Sequence, residues 1–333
     1  EDEWHLTDAL AFTFGGRYED HSAFGGHFTP RAYLVWNTND NWTLKGGVST
    51  GYKVPTANDL HDGINGFTAQ GKSVSLGNPD LKPEKTTNYE IGFVYDDLTN
   101  FSLTTTAFFT EFKDLIISGA KTYENCLWES RPTGSTPASD CMTVGNFSYQ
   151  ENFSFQGNAD EAESYGVELS AKYDISPNFN VKANYTWLES EITKGENKGQ
   201  TIENTPRHAV NLTSTWYVND QFTTWLEAEY KSKRTRFTDP TANTDTIREA
   251  EITGNELKAY ELFNLGASYK VNNQITLSGR INNLFDKDFG DYQTFTNTKG
   301  ETVNAFLYTK TTSGLAGTYI PDRNYWLSIS YDF

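Results

Sequence analysis

The 333-residue chain sets 44 acidic against 27 basic residues, a formal net charge of −17, which argues against nucleic acid as a partner because that calls for a basic footprint. A mean hydropathy of −0.63, with no run near the ~20 apolar residues of a spanning helix, excludes helical membrane spans. A membrane β-barrel stays open, since only alternate strand residues meet lipid and polar loops dilute the signal, and an aromatic content of 15% favours it.

In chain order, residues 1–5 read as the tail of a strand. Period-two alternation then marks about twelve strands, near 9–20, 30–37, 42–52, 86–96, 101–115, 161–174, 179–191, 206–218, 221–231, 259–270, 274–283 and 323–333. In 164–173, Tyr165, Val167, Leu169, Ala171 and Tyr173 alternate with Ser164, Glu168, Ser170 and Lys172; at the end of the chain, Tyr325, Leu327, Ile329, Tyr331 and Phe333 share one parity. No segment shows the helical period of 3.6, so no helix is expected. Most strands meet or exceed the ~9–11 residues that a tilted strand needs to cross the hydrocarbon layer.

Connections alternate between short ones, near 37–41, 96–100, 174–178, 219–220 and 272–273, and long ones, near 53–85, 116–160, 192–205, 232–258 and 284–322. Short turns at one end and long loops at the other are the asymmetry of an outer-membrane barrel, whose long loops are extracellular. Within the strands Lys45, Glu90, Glu168, Lys172, Lys182, Glu227, Glu229 and Arg280 fall opposite the apolar stripe. A basic residue on the lipid face at mid-bilayer costs about 2–4 kcal/mol. Trp42, Tyr52, Tyr173, Trp187, Trp216, Tyr269 and Tyr331 sit near strand ends, as aromatic girdles require.

Cys126 and Cys141 lie inside a loop-like stretch, an isolated pair that reads as a disulfide in an oxidising compartment. Residue 1 is Glu, without an initiator Met or a signal peptide, so the start is expected to be processed or truncated.

Three stretches go beyond a generic barrel. Residues 51–60 (Gly-Tyr-Lys-Val-Pro-Thr-Ala-Asn-Asp-Leu) resemble the segment of TonB-dependent receptors where a strand leaves the membrane into a long loop. Residues 77–84 (Gly-Asn-Pro-Asp-Leu-Lys-Pro-Glu) resemble that family's return into the next strand, with Pro79 and Pro83 suited to a strand entrance and Lys82 and Glu84 expected to pair. Residues 281–287 (Ile-Asn-Asn-Leu-Phe-Asp-Lys) with 321–333 resemble its final hairpin. The order of these motifs agrees along the whole chain, and the likeness is greatest to catecholate-siderophore receptors that also serve as colicin receptors.

That resemblance implies an all-β fold: residues 1–333 as the C-terminal ~12 strands of a transmembrane antiparallel barrel of 22 strands, without its N-terminal plug. It implies bacterial outer-membrane localisation, no enzymatic reaction, no resident cofactor, and a ferric siderophore imported by coupling to the TonB complex through the plug. Tyr331 and Phe333 would form the terminal signal read by the barrel assembly machinery. Lipopolysaccharide and outer-membrane lipid, and also colicins or phage, are further implied partners. A passive porin or a surface adhesin is the alternative function, and haem, cobalamin or another chelate the alternative ligand.

Catalytic motifs do not displace this reading. Gly47-Val48-Ser49-Thr50-Gly51 matches the nucleophile-elbow pattern but lies in a strand with no helix after it. His5, His21, His27, His61 and His208 lack zinc-ligand spacing, and no metal site is expected. Ligand recognition then falls to the long loops. Cations and aromatic rings would hold an anionic aromatic chelate, and the loops offer Lys72, Lys121, Tyr123, Trp128, Arg131, Lys231, Lys233, Arg234, Arg236, Phe237 and Arg248. The stretch 231–237 is the most basic; the equally open alternative is that it binds lipopolysaccharide phosphates or is simply solvated.

Overall fold

The computed structural model describes residues 1–68, 73–195, 197–241, 244–298, 300–309 and 320–332. Its elements are β1 (Asp2–Thr7), β2 (Leu10–His21), β3 (Gly25–Asn37), β4 (Trp42–Lys53), β5 (Ile64–Thr68), β6 (Ser73–Leu76), β7 (Glu84–Asp96), β8 (Phe101–Glu124), β9 (Asn152–Ser176), β10 (Phe179–Lys194), β11 (His208–Tyr217), β12 (Phe222–Lys231), β13 (Arg234–Thr235), α1 (Thr244–Thr253), β14 (Glu256–Leu257), β15 (Tyr260–Lys270), β16 (Ile275–Asn282), β17 (Tyr292–Thr296), β18 (Thr302–Phe306) and β19 (Asn324–Tyr331). One 15-stranded sheet has the path β1-β2-β3-β4-β7-β8-β9-β10-β11-β12-β15-β16-β19, an antiparallel meander in chain order, with the β5–β6 hairpin attached to β9.

Register turns the alternation of each strand into two continuous faces. Phe12, Leu34, Gly46, Ile91, Ala107, Val167 and Trp187 stand side by side across seven strands, and Leu226, Leu265, Ile281 and Tyr325 continue the same face. Ile91 is 70% exposed, Ile329 75% and Leu327 84%. An uncovered apolar face of this extent is untenable in water and is the surface a bilayer covers. Lys45, Glu90, Glu168, Lys172, Lys182, Glu227, Glu229 and Arg280 take the other, luminal parity, where Arg280 pairs with Glu227 at 2.5 Å.

Aromatic rings bound the apolar band. Trp42, Tyr95, Phe101 and Tyr173 follow one another at the short-turn end with centroids 4.7, 6.1 and 6.0 Å apart, and register extends them through Trp216 and Tyr269. Tyr89 and Phe109 at 6.3 Å, and Tyr165 and Trp187 at 5.9 Å, mark the outer boundary. Eight residues of β8 separate the two boundaries, about 26 Å along a strand. Tyr331 is half exposed at the end of β19; Phe333 lies outside the described residues.

Several expectations are corrected. β8 and β9 run far past 115 and begin well before 161, so the expected 116–160 loop is only 125–151 at its tip. Outside the membrane neither face needs to be apolar, and the alternation that marks a strand disappears there. The 53–85 and 284–322 loops each contain a hairpin, β5–β6 and β17–β18. The expected absence of helix fails at α1, a polar ten-residue helix with no buried residue, so it has no apolar stripe to reveal it. The connection between β2 and β3 is short, which breaks the strict alternation of loop lengths and places His21 and His27 on hairpin strands.

The motif at 77–84 works as a strand entrance, by different partners than expected. Glu84 pairs with Lys53 at 2.8 Å, not with Lys82, and its other oxygen accepts the Ile116 amide. Asn158 accepts the Lys82 amide and donates to the Lys82 and Asp114 carbonyls. A side chain at Gly77 would lie 2.2 Å from the His61 carbonyl oxygen, so the chain can pass only as glycine.

The 281–287 motif is a second staple. Asn283 is buried with φ of 51°; it accepts the Lys287 amide at 2.8 Å and donates to the carbonyls of Lys287 and Pro321. Asn283→Ala should therefore cost about 1–3 kcal/mol by stranding buried backbone groups. A lowered urea midpoint of the full-length protein would register it, and an unchanged midpoint would deny the staple its role. At the opposite end, Asp97 accepts the amides of Phe101, Thr99 and Asn100, and these bonds hold its pKa down at about 2.

Candidate functional site

Among the described residues, the largest fully buried side chains lie beyond the membrane layer, chiefly in two groups of extracellular loops. The first joins β5–β6 to the tip of β8–β9. Val74, Leu76 and Phe153 form its core, with Ile64, Met142, Val144, Phe147 and Phe155 packed around them. The expected disulfide between Cys126 and Cys141 is formed. Asn125, fully buried, donates to the carbonyls of Phe147 and Gln150 and accepts the Leu127 amide.

Arg131 is not a free cation at this tip. Its guanidinium pairs with Glu124 and donates to the Asn125 carbonyl at 2.7 Å. The Glu124 carboxyl, which also accepts the Ala138 amide, is held below the usual carboxylate range by that amide first and by Arg131 after it. Tyr123 packs edge-on against Phe155 at 5.8 Å, and Trp128 is half-buried. Lys72, and the Lys121 side chain, lie outside the described residues.

The second group gathers residues 195–207, 232–259 and 283–309. Arg236 is enclosed completely; it pairs with Glu249 of α1 at 2.8 Å and donates to the Phe306 carbonyl of β18 at 2.7 Å. Phe237 is buried beside it. Burial pushes the Arg236 guanidinium down, opposed by Glu249. Both side chains therefore sit inside the loop packing and hold it together. Arg248 likewise donates to the Thr296 carbonyl.

Lys231, Lys233 and Arg234 differ. Lys233 pairs with Glu256 at 2.7 Å in solvent. Lys231 and Arg234 stand over the Tyr260 ring at 5.8 and 5.6 Å. Arg234 donates to Asn204 and to the Tyr308 carbonyl, so it ties three loops together while presenting its charge to the ring.

The same packing assembles residues that the linear pattern did not single out. Phe289, buried, meets Tyr260 and Tyr308 edge-on at 5.2 and 5.3 Å. Lys258 and Lys287 stand 5.6 and 5.5 Å from the Tyr308 ring. Glu229, Lys231 and Tyr260 come from the luminal parity of β12 and β15, and the Tyr260 hydroxyl donates to Glu229 at 2.7 Å. The result is a chain of three aromatic rings flanked by Lys231, Arg234, Lys258 and Lys287, at the outer end of the luminal wall. Nearby carboxylates are Glu229, Glu256, Glu261 and Asp291. Asp288, between Lys287 and Phe289, is a fifth, so with Lys233 the five cations are matched by five carboxylates, in a chain of net charge −17. The only linear sign was the basic run 231–237, because Lys258, Lys287, Phe289 and Tyr308 come from separate segments.

Gly47 to Gly51 lie within β4, with no elbow, and among the described residues no group of three or more His, Cys, Asp or Glu could hold a metal.

Residues 1–284 match the model of the family described as TonB dependent receptor-like, beta-barrel. Over 86% of this chain and 40% of the relative, the chain is 30% identical to an iron-regulated outer membrane virulence protein of Vibrio cholerae. Over its whole length, and 42% of the relative, it is 26% identical to a probable TonB-dependent siderophore receptor, PirA, of Acinetobacter baumannii. The chain thus spans about two-fifths of the length of these relatives. Among solved structures, the ferric enterobactin receptor PfeA of Pseudomonas aeruginosa superposes with a TM-score of 0.72 at 20% identity, covering 99% of this chain and 44% of that one; at that identity the likeness speaks for the fold. Relatives, sheet topology and lipid-facing surface agree on an outer-membrane barrel wall, and the chain belongs to the TonB-dependent receptor-like β-barrel family.

Proposed function

We propose that this barrel belongs to a receptor that captures an anionic ferric siderophore of the catecholate type at its extracellular mouth and imports it by TonB-coupled transport. The observation that carries the reading is the row of Tyr260, Phe289 and Tyr308 flanked by Lys231, Arg234, Lys258 and Lys287. Iron wrapped in catecholates is an anion with aromatic edges; Lys258 and Lys287 beside the half-buried Tyr308 ring offer charge and ring together, and Tyr308 packs on buried Phe289, which packs on buried Tyr260. The iron is cargo, so the barrel has no reaction to perform. The relatives described as iron-regulated and as a siderophore receptor support the same reading.

Lys258 and Lys287 make the cleaner test, because their ion pairs with Asp291 and Glu261 are solvent-exposed and contribute little to folding. In the full-length receptor, Lys258→Gln with Lys287→Gln should weaken ferric-catecholate binding about tenfold, at roughly 0.5–1 kcal/mol per cation. Binding of an uncharged ferric hydroxamate should not change. Fluorescence titration distinguishes these outcomes, and an unchanged catecholate affinity would reject the site.

A further inference from the structure

Every lysine of the mouth site already has a carboxylate partner. Lys231 pairs with Glu229 at 3.0 Å, Lys233 with Glu256 at 2.7 Å, Lys258 with Asp291 at 3.0 Å and Lys287 with Glu261 at 3.5 Å. Arg234 is the exception. It donates to Asn204 and to the Tyr308 carbonyl, both neutral, and among the described residues no carboxylate pairs with it. An arriving anion therefore finds one cation without a carboxylate and takes each lysine from one; a departing anion gives the lysines back. The ease of each exchange depends on how firmly the carboxylate is held.

Three of these carboxylates can turn away. The side chains of Glu256, Asp291 and Glu261 are between 46 and 61% exposed, and in solvent a broken ion pair costs little. Glu229 is different. Its side chain is 29% exposed, and the oxygen that meets Lys231 also accepts the Tyr260 hydroxyl at 2.7 Å. Tyr260 is buried, packed edge-on against Phe289 with Lys231 and Arg234 over its ring. Register sets Tyr260 directly opposite Lys231, and Glu229 lies two residues further into the barrel on the same luminal parity. The next luminal residue of β12, Glu227, is engaged by Arg280 at 2.5 Å. Glu229 thus stands between the mouth cations and the lumen, and it cannot swing aside without breaking its bond from Tyr260.

We propose that Glu229 is the release residue of this site: a fixed counter-charge that shares Lys231 with the bound anion and keeps affinity low enough for the cargo to move inward. This inference rests on the reading of the mouth as a site for an anionic ferric chelate. Glu229 is a positioning residue, acting through Lys231 and Tyr260. An anion on Lys231 has a carboxylate beside it that stays in place. Two like charges around one partly buried ammonium repel by enough to change affinity about tenfold. The carboxylates of the other lysines turn into solvent on binding and offer no such opposition. Without the charge of Glu229 the anion is held more tightly and handed on more slowly, because binding energy that deepens the bound state without helping the onward step does not speed turnover.

The test uses the full-length receptor and a ferric tris-catecholate. Glu229→Gln keeps an acceptor for the Tyr260 hydroxyl while removing the charge. It should bind the chelate about tenfold more tightly and release it about tenfold more slowly in a chase. In cells, uptake of the radiolabelled iron should show both a lower half-saturating concentration and a lower maximal rate. Glu256→Gln removes the same charge from an exposed pair and should gain about twofold at most. Lys231→Gln leaves the fixed carboxylate uncovered and should weaken binding about tenfold, while the double variant Glu229→Gln/Lys231→Gln should return to within about threefold of wild type. An equal gain from Glu256→Gln would reduce the effect to net charge and overturn the proposal. So would tighter binding with an undiminished maximal rate, or a Lys231→Gln loss that the second substitution does not restore. A wild-type receptor that binds no ferric catecholate would instead defeat the cargo reading itself.

Discussion

Arg236→Ala should free α1 from the β17–β18 hairpin while leaving the barrel wall intact. Arg236 is fully enclosed, and its guanidinium links Glu249 of the helix to the Phe306 carbonyl of the hairpin. Removing one partner of a buried ion pair costs about 3–5 kcal/mol, because the charge left behind loses its compensation. The helix has little else to rely on. It buries no residue, and ten residues are too few for a stable isolated helix. Polar ties also join it to the hairpin: Asp245 accepts the Thr298 amide at 2.6 Å, and Arg248 reaches the Thr296 carbonyl at 2.9 Å. Hydrogen exchange should show α1 amides losing protection while β12 and β15 keep theirs, and limited proteolysis should cut within 238–258. Retained protection in α1 would show that the ion pair is not what holds it. Since Arg234 and Lys258 flank this packing, ligand affinity should fall too, by disorder and not by a lost contact.

The second large effect is expected at the disulfide. Cys126 and Cys141 close a loop with a sequence separation of 15, worth about 3 kcal/mol in the chain-entropy description. Its consequence should extend beyond the loop itself, because Met142, Val144 and Phe147 pack on Val74 and Leu76 of the neighbouring hairpin. Cys126→Ala with Cys141→Ala in the full-length receptor should raise exchange in residues 74–76 and 142–153 together. The membrane-embedded parts of β8 and β9 should be unaffected. Faster exchange confined to 127–140 would mean that Asn125 and the Arg131–Glu124 pair hold the group without the disulfide.

What could be read in the sequence follows from which forces act locally. Inside the bilayer every second residue must suit lipid, so β9 shows itself from Glu161 onward, and the terminal strand by Tyr325, Leu327 and Ile329. Outside it, residues 116–124 pair with β9 while obeying no such rule, and the extension was invisible. The helix α1 is held by Arg236 and Thr298, distant in sequence, and not by an apolar stripe of its own. The site shows the same division. A run of cations at 231–237 could be seen, but the sequence could not tell that Arg236 is enclosed by Glu249 while Arg234 lies over Tyr260. Nor could it bring Lys287, 56 positions beyond Lys231, to the same row of rings. The disulfide was legible because two cysteines in one loop leave a single pairing.

The unusual length of β8 and β9 has a mechanical consequence. From Phe109 at the lipid boundary to Glu124 at the tip, β8 runs about 50 Å, or about 35–40 Å above the membrane at an ordinary barrel tilt. The disulfide-closed cap thus rides on an outrigger taller than the ~30 Å hydrocarbon layer below it. The outrigger has a weak point near its base, where Asp114 takes a φ of 56° and the register with β9 slips between Ser118 and Lys121. A 5° bend there would swing the cap by about 3 Å over a lever of ten residues. Small movements at the mouth of the barrel are therefore magnified at its outermost point.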